Sequence, residues 1–191
     1  MDTTHFSVAD KFGNVTSNTY TLNSGFGSGI IVDGTGVLMN NEMDDFVSAP
    51  GIPNQFGLIG GEANKIEPFK RPLSSMTPTI VFHENKPIIA TGSPGGSRII
   101  TAVLQFLLNT LDFKMEISDA TVVPRIHHQW KPDVLMLEKG FDAGHASTIK
   151  ALGQPIYISG PGTSLESLEI KNNLFYGFGD TRRPDSKAKG L

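Results

Sequence analysis

Two segments of alternating polar and apolar residues, joined by a tight turn, open this chain of 191 residues. Residues 4–9 and 15–22 both alternate with the period of two that is typical of a half-buried strand. The turn between them contains Gly13 and Asn14, residue types that tolerate a positive φ. Paired as a hairpin, facing residues have numbers that sum to about 24 or 25, so Thr3 is predicted to lie opposite Thr21 or Leu22.

Thr3 carries a hydroxyl close to the start of the chain. A terminal threonine with a free α-amine, whose pKa is about 8, can use that amine as the base for its own hydroxyl. The alternative is that Thr3 simply begins the domain, with no chemical role.

The remaining pattern predicts a mixed fold in a single domain over residues 1–191. A broad apolar face favours a helix packed on a sheet at 97–111. Further helices are predicted at 118–123 and 143–152, and further strands at 78–82, 87–91, 155–159 and 174–177. Strands followed by helices and then strands indicate a layered α+β sandwich.

Composition excludes several classes of protein. The net charge of −3 gives no electrostatic footprint for nucleic acid. The absence of cysteine excludes disulfides, a thiolate nucleophile and cysteine metal ligands. The apolar runs are too short to span a bilayer, and Met1-Asp2 does not open a signal peptide.

A long irregular segment, residues 40–75, carries two polar clusters. A loop of this length in one domain is usually functional. The first cluster, with Glu42, Asp44 and Asp45, could hold an ammonium group, or could be a solvated turn; its spacing is not that of a calcium-binding EF-hand. In the second, Ser74-Ser75 offers two hydroxyls to a carboxylate.

Gly95-Gly96 precedes the predicted long helix, where backbone N–H groups lack partners. The loop could cradle a phosphate, form an oxyanion hole, or be a plain turn, and it lacks the lysine of a P-loop. His127-His128 suggests a metal site, but neighbouring residues of an extended segment point in opposite directions, so packing roles are predicted instead.

These motifs, in this order, closely resemble the small subunit of γ-glutamyltranspeptidases, which are N-terminal nucleophile hydrolases. The resemblance covers nearly the whole chain and is loose only over the last forty or so residues. It is carried by Thr3-Thr4-His5-Phe6-Ser7-Val8, Tyr20-Thr21-Leu22-Asn23, Asn40-Asn41-Glu42-Met43-Asp44-Asp45-Phe46, Arg71-Pro72-Leu73-Ser74-Ser75-Met76, Gly92-Ser93-Pro94-Gly95-Gly96-Ser97-Arg98 and Pro124-Arg125-Ile126-His127-His128-Gln129-Trp130.

The resemblance implies the small-subunit half of an αββα sandwich, in which two sheets stack between helix layers. It also implies a precursor that cleaves itself just before the first threonine, giving a large and a small subunit that stay together as a heterodimer. The chain would then be the small catalytic subunit and would need the large one for activity.

The resemblance also implies a role for each candidate site residue. Thr3 would be the nucleophile, Thr21 its partner hydroxyl, and Gly95 and Gly96 the oxyanion donors. The α-amino end of a γ-glutamyl substrate would be held by Asn23, Glu42 and Asp45, and its α-carboxylate by Ser74 and Ser75.

The implied reaction is γ-glutamyl transfer from glutathione or a similar amide to water, an amino acid or a peptide. It needs no metal or organic cofactor and no nucleic acid. The family also implies a periplasmic, secreted or cell-surface location, with any targeting segment on the large subunit.

Four features depart from the family pattern. The substrate-clamping arginine belongs to the large subunit, and Met1-Asp2 would block the Thr3 amine, so a species that retains them is predicted to be inactive. Residues 50–61, in the position of the family's lid, carry Phe56 where some relatives have tyrosine, and phenylalanine cannot hydrogen-bond to Asn23. Residues 179–184 follow the family ending only loosely.

Three alternative functions remain at this point. A cephalosporin or glutaryl amide acylase uses similar machinery, although it has no need to hold an α-amine. A non-catalytic binding or structural subunit is the second alternative. The third, a nucleotide-binding module on Gly95-Gly96, lacks an accompanying lysine or acidic metal ligand.

Overall fold

The chain forms short strands and three helices in a computed structural model that describes residues 3–160 and 162–190. The strands are β1 Thr4–Ala9, β2 Val15–Tyr20, β3 Ile31–Val32, β4 Val37–Leu38, β5 Thr79–His83, β6 Lys86–Thr91, β7 Ile126–His127, β8 Leu135–Glu138, β9 Ile156–Ser159, β10 Glu166–Lys171 and β11 Leu174–Gly179. The helices are α1 Arg98–Leu107, α2 Ile117–Val122 and α3 Ala143–Ala151, and α1 continues as a π-helical turn, Leu108–Asp112. Residues 40–75 are irregular apart from the 3-10 turns Glu42–Asp45 and Glu62–Asn64.

The N-terminal hairpin has one of the two predicted registers. β1 and β2 are antiparallel, with Thr4 opposite Tyr20 and Ala9 opposite Val15. The Asp10 carboxylate closes the turn by accepting from the backbone N–H groups of Phe12 at 2.8 Å and Asn14 at 3.0 Å. Extending this register by one residue puts Thr3 opposite Thr21, which confirms the first of the two predicted pairings.

A four-stranded antiparallel sheet in the order β11-β10-β6-β5 forms the centre of the molecule. The predicted β5–β6 hairpin is confirmed, and Glu84 and Asn85 turn its corner with positive φ angles of 48° and 61°. Strand β10 was not predicted, although it joins β6 to β11 and so completes the sheet.

The β1–β2 hairpin lies on one face of this sheet. The Ser7 hydroxyl donates to the Glu166 carbonyl at 2.9 Å, and the Ser17 hydroxyl donates to the Thr91 carbonyl at 2.9 Å. Helices α1 and α2 cover the other face, where their apolar side chains and those of the sheet form the core around Ile89, Ile99, Val103, Phe106, Ile117 and Leu165. The described residues thus supply two sheet layers and one helix layer.

A smaller sheet, β7-β8-β9, packs beside α1 and was only partly predicted. β8 and β9 run parallel, joined through α3, and β7 pairs antiparallel with β8. This sheet holds His127 and Glu138, two buried residues that contact the segments around the candidate site.

Candidate active site

Thr3 lies at the open end of the hairpin, where it is 6% exposed. Its hydroxyl donates to Thr21 Oγ1 across 3.0 Å. Thr21 Oγ1 also accepts from the backbone N–H of Asn23 at 2.8 Å, which fixes the position of that oxygen. If the Thr3 hydroxyl loses its proton, the Thr21 hydroxyl can rotate and donate to the resulting oxygen anion.

The C-terminal segment reaches the same residue. Arg183 Nη1 donates to the Thr3 carbonyl at 3.0 Å, and the Arg183 backbone N–H donates to the Asp180 carbonyl at 3.2 Å. The structure therefore connects residues 179–184, which the sequence left without a role, directly to Thr3.

A buried network of charges anchors this C-terminal segment. Asp180 is fully buried and accepts from Arg125 Nη2 at 2.6 Å and from the Leu165 backbone N–H at 3.0 Å. Arg182 pairs with Glu138 at 2.6 Å. Burial alone would raise the pKa of Asp180, but the Arg125 charge and these hydrogen bonds outweigh it and lower that pKa. Movement of the segment would separate these ion pairs and leave buried charges without partners, which is strongly destabilising. The ion pairs therefore hold the C-terminal segment in place.

His5, two residues after Thr3, joins the hairpin to the glycine loop. Its ring nitrogens bond Thr19 Oγ1 at 2.7 Å and Ser7 Oγ at 3.1 Å. A Cβ on Gly92 would lie 2.2 Å from the His5 ring, so only glycine fits there. Burial lowers the pKa of His5 to about 4, so the ring is neutral at pH 7.

The loop from Gly92 to Gly96 runs from β6 to the start of α1 and is buried throughout. Gly95 and Gly96 have φ angles of 146° and 58°, which glycine adopts readily. Their carbonyls accept from the N–H groups of Arg98 and Ile99. Within residues 3–160 and 162–190 their own N–H groups have no acceptor, so both remain able to bind an anionic oxygen.

Asn23 connects the hydroxyl pair to the acidic turn. It is 7% exposed and has a positive φ of 74°. Its side-chain amide donates to the Asn41 carbonyl at 3.3 Å, and the Asn41 side chain accepts from the Ser24 backbone N–H at 2.9 Å. Asn41 immediately precedes the turn Glu42–Asp45, so these bonds hold the acids beside Asn23.

The acidic turn is electrostatically crowded. Partial burial, a hydrogen bond with Asp45 and the negative charges of Asp45 and Asp44 raise the pKa of Glu42 to about 7. Carboxylates that repel one another in this way favour a bound cation, such as an ammonium group.

A cavity next to this turn is lined by Asp45 and Ser75, but not by Glu42, Asn23 or Thr3. Asn64 bridges its two sides, since its side chain donates to the Asp45 carbonyl at 2.7 Å and accepts from the Leu73 backbone N–H at 2.9 Å. Ser74 does not line this cavity; it is exposed, and its hydroxyl accepts from the Met76 backbone N–H at 3.2 Å.

Phe56, from the segment 50–61, lies against the glycine loop. A Cβ on Gly96 would be 2.6 Å from Phe56 Cδ1, so the ring rests directly on this glycine. The Asn54 side chain accepts from the N–H groups of Phe56 and Leu58, both at 3.0 Å, and so shapes the turn that presents the ring.

Several residues that shape the site were missed by sequence reasoning: Asn41, Asn64, Gln129, Asp180, Arg182 and Arg183. The Asp180-Thr181-Arg182-Arg183 cluster carried a signal, because opposite charges directly after a strand suggest ion pairing. His127 is buried and bonds Thr101 at 2.8 Å, in agreement with the predicted packing role, whereas His128 is exposed and does not have that role. Within the described ranges, 3–160 and 162–190, no cluster of three or more histidines and carboxylates could hold a metal ion.

A hydrogen-bonded pair of threonine hydroxyls at the open end of the first hairpin, together with two stacked sheets and a helix layer, defines an N-terminal nucleophile hydrolase fold of the α+β class. The predicted fold class is confirmed by the structural comparisons. The chain belongs to the gamma-glutamyltranspeptidase family, whose sequence model matches residues 1–190.

Individual relatives agree with this family. The chain is 48% identical over 189 residues to the glutathione hydrolase proenzyme of Escherichia coli (strain K12), covering 98% of this chain and 33% of that protein. An acivicin-inhibited γ-glutamyltranspeptidase of known structure matches with a TM-score of 0.91 and 48% identity, over 94% of this chain and 98% of that one. The chain therefore spans about a third of the length of the curated relatives it matches.

An acylase shares the fold at a greater distance. The cephalosporin acylase from Bacillus halodurans matches with a TM-score of 0.76 at 22% identity, over 93% of this chain and 32% of that protein. A likeness at that identity shows a common fold alone.

Proposed function

We propose that this chain is the small, catalytic subunit of an enzyme that transfers the γ-glutamyl group of glutathione and similar amides. The observation that carries the proposal is the 3.0 Å contact between the Thr3 and Thr21 hydroxyls, which Asn23 connects to the acidic turn. The acceptor is water, an amino acid or a peptide amine.

The site suits the two charged ends of a γ-glutamyl group. Asn23, Glu42 and Asp45 offer oxygen acceptors and negative charge to its α-ammonium. Ser75, which lines the same cavity as Asp45, offers a hydroxyl to its α-carboxylate, and the neighbouring exposed Ser74 offers a second. Gripping both ends orients the γ-carbonyl toward Thr3 and lowers the entropic part of the barrier.

The chemistry follows from a free Thr3 amine. That amine takes the hydroxyl proton while Thr3 Oγ1 attacks the γ-carbonyl carbon. The Gly95 and Gly96 N–H groups bind the oxygen anion that forms, and each such donor contributes about 3 kcal/mol to the transition state. The C–N bond then breaks, and the leaving amine takes the proton from the Thr3 ammonium. Water or an acceptor amine attacks the resulting ester by the same steps in reverse.

A large subunit would complete the fold, and the outer face of the hairpin supports this. His5 and Ser7 point inward, whereas Phe6 and Val8 point outward and are 43% and 53% exposed. Tyr20 extends the same apolar outer face at 59% exposure. Polar residues inside and apolar residues outside reverse the usual order of a surface hairpin, so we infer that another part of the protein covers this face.

The proposal is tested by producing the chain as part of a precursor and substituting Thr3 and Thr4. Thr3→Ala should abolish both cleavage before residue 3, read by intact mass, and turnover of γ-glutamyl-p-nitroanilide. Thr4→Ala removes the neighbouring hydroxyl and should retain both. A Thr3→Ala protein that is still cleaved and active would assign the chain a non-catalytic role.

The substrate class is tested by comparing a γ-glutamyl anilide with the matching glutaryl anilide, which lacks the α-amine. We expect the γ-glutamyl compound to be turned over at least about a hundredfold faster, because the analogue leaves the partly buried carboxylates of the acidic turn without an ammonium partner. Equal rates would favour the acylase alternative.

Met1 and Asp2 lie outside the described residues, and the prediction that a species retaining them is inactive stays a prediction, tested by assaying that species after intact-mass analysis. No helix within residues 3–160 and 162–190 is long and apolar enough to cross a membrane. The periplasmic, secreted or cell-surface location also stays a prediction.

A further inference from the structure

The side-chain amide of Gln129 makes four hydrogen bonds at a junction of three segments. Its Oε1 accepts from the Ser97 hydroxyl at 2.7 Å and contacts His127 Nε2 at 2.9 Å. Its Nε2 donates to the backbone carbonyls of Phe56 at 3.0 Å and Lys131 at 3.1 Å. Two acceptances and two donations use the full capacity of a primary amide.

The surroundings fix the orientation of this amide. Two carbonyl oxygens face one end, and only the NH₂ group can bond both of them. The amide oxygen must then face His127, so His127 Nε2 carries a hydrogen and its Nδ1 accepts from the Thr101 hydroxyl at 2.8 Å. Burial lowers the pKa of His127, in agreement with this neutral ring.

The segments joined at Gln129 are those that enclose the glycine loop. Ser97 directly follows Gly96, and the Phe56 ring rests on Gly96. Gln129 holds the segment 50–61 at the Phe56 carbonyl. The next residue, Gly57, lies close to the same amide, because a Cβ added to Gly57 would be 3.3 Å from Gln129 Nε2. The Gln129 side chain therefore contacts both the residue that follows Gly96 and the segment whose Phe56 ring lies on Gly96.

We infer that Gln129 is a positioning residue that fastens the segment 50–61 over Gly96 and so limits the access of water to an acyl group bound there. Asn54 preforms the turn around Phe56, and Gln129 fixes that turn to the glycine loop. The effect on acyl transfer rests on the proposed function above, whereas the fastening itself does not.

The test is Gln129→Glu in the two-chain protein obtained from the precursor. Glutamate keeps the size of the side chain and its acceptor oxygens but cannot donate to the Phe56 and Lys131 carbonyls. The expected first result is an increase of about tenfold or more in the rate of chymotrypsin cleavage after Phe56, because the hydrogen bond that holds the Phe56 carbonyl is lost. The expected second result is a rise of about threefold or more in hydrolysis relative to transfer to glycylglycine at a fixed concentration.

Gln105→Glu is the matched control. The Gln105 amide likewise donates to two carbonyls, those of Thr101 at 2.7 Å and Ile126 at 2.8 Å. These bonds link α1, which contains Gln105, to β7. It bonds neither Ser97 nor Phe56, so its substitution should lower the unfolding temperature without changing cleavage after Phe56 or the transfer ratio. Gln129→Met, which cannot make any of the four bonds, should reproduce the effects of Gln129→Glu if the charge itself is not the cause.

The outcomes separate cleanly. Faster cleavage after Phe56 and more hydrolysis in both Gln129 variants, but not in Gln105→Glu, would support the inference. Wild-type cleavage rates in the Gln129 variants, or equal changes in Gln105→Glu, would overturn it. Absence of γ-glutamyl transfer by the unmodified protein would defeat the proposed function, while the cleavage measurement would still decide whether Gln129 fastens the segment.

Discussion

Arg183 lies 180 residues after Thr3 in the sequence, yet its guanidinium donates to the Thr3 carbonyl at 3.0 Å. The bond fixes the peptide plane that follows the candidate nucleophile, and with it the direction of the Thr3 side chain. The buried Arg125–Asp180 pair places Arg183 in turn, because Asp180 accepts the Arg183 backbone N–H. The C-terminal segment thus positions the first described residue.

Arg183→Met should lower kcat by about tenfold or more. A hydrogen bond from a charged donor is worth about 1.5–3 kcal/mol, and its loss frees the Thr3 backbone to move. Arg183→Lys keeps the charge but changes the geometry of the donor, so an intermediate kcat is expected. Both are measured as turnover of γ-glutamyl-p-nitroanilide, with the extent of precursor cleavage determined by mass.

Lys187→Met removes an exposed positive charge four residues further along and is the control. It should leave kcat and cleavage unchanged. A fall in kcat of the same size in Lys187→Met would attribute the Arg183 effect to net charge instead of position.

Thr21→Val should reduce kcat by about tenfold or more with little change in KM. Valine keeps the shape of threonine but removes the oxygen 3.0 Å from Thr3 Oγ1, which is also the acceptor for the Asn23 N–H. Thr21→Ser restores the oxygen and should recover most of the rate. Thr16→Val, an exposed position on β2, the strand that Thr21 directly follows, should match the unmodified enzyme, and a Thr21→Val enzyme of full activity would remove Thr21 from the mechanism.

The KM for a γ-glutamyl donor should rise as the pH falls through about 7. Protonation of Glu42, whose pKa burial and the Asp45 and Asp44 carboxylates raise to about 7, removes one negative charge from the turn that would hold the α-ammonium. The measurement is the pH dependence of KM between pH 5.5 and 8.5, in roughly half-unit steps.

Glu42→Gln should have, at every pH, a KM close to the value that the unmodified enzyme reaches at about pH 5.5, and so lose this inflection. Glu62→Gln, an exposed glutamate on the same segment, should keep the profile of the unmodified enzyme. Persistence of the inflection in Glu42→Gln would assign the titration to another group.

The hairpin and the candidate nucleophile could be predicted because their signals are local. Alternation and a turn of known chemistry set the register, and that register placed Thr21 beside Thr3 without any long-range information. The long helix was predictable for the same reason: of the predicted apolar positions, Ile99 and Val103 are buried in the structure. Ile100 and Leu104 are exposed instead, and Phe106, which was not among the predicted positions, is buried.

Strand β10 could not be found from alternation because it is buried on both faces between layers. Ser167 and Leu168 are adjacent and both buried, and the Ser167 hydroxyl bonds Thr91 Oγ1 at 2.7 Å. A polar residue buried in this way erases the period of two. The contacts of Arg183 and Gln129 were equally invisible, because each joins positions far apart in the sequence.

His5 makes the stability of the fold depend on pH. Burial lowers its pKa from 6.5 to about 4, so between these values the unfolded chain binds a proton that the folded chain does not. The contribution of His5 to the free energy of unfolding is therefore complete above about pH 6.5 and is lost progressively as the pH falls toward 4. Over the whole window the loss amounts to about 3 kcal/mol.

His5→Gln should flatten this dependence, because glutamine keeps hydrogen-bonding groups for Thr19 and Ser7 but takes up no proton. The measurement is the unfolding temperature of the two-chain protein at pH 7.5, 6 and 5, compared with that of the unmodified protein. His145→Gln, whose imidazole is exposed and paired only with Asp142 among the described residues, controls for the loss of a histidine. An unchanged fall in unfolding temperature between pH 7.5 and 5 in His5→Gln would place the acid sensitivity elsewhere, with the Arg125–Asp180 pair as the next group to substitute.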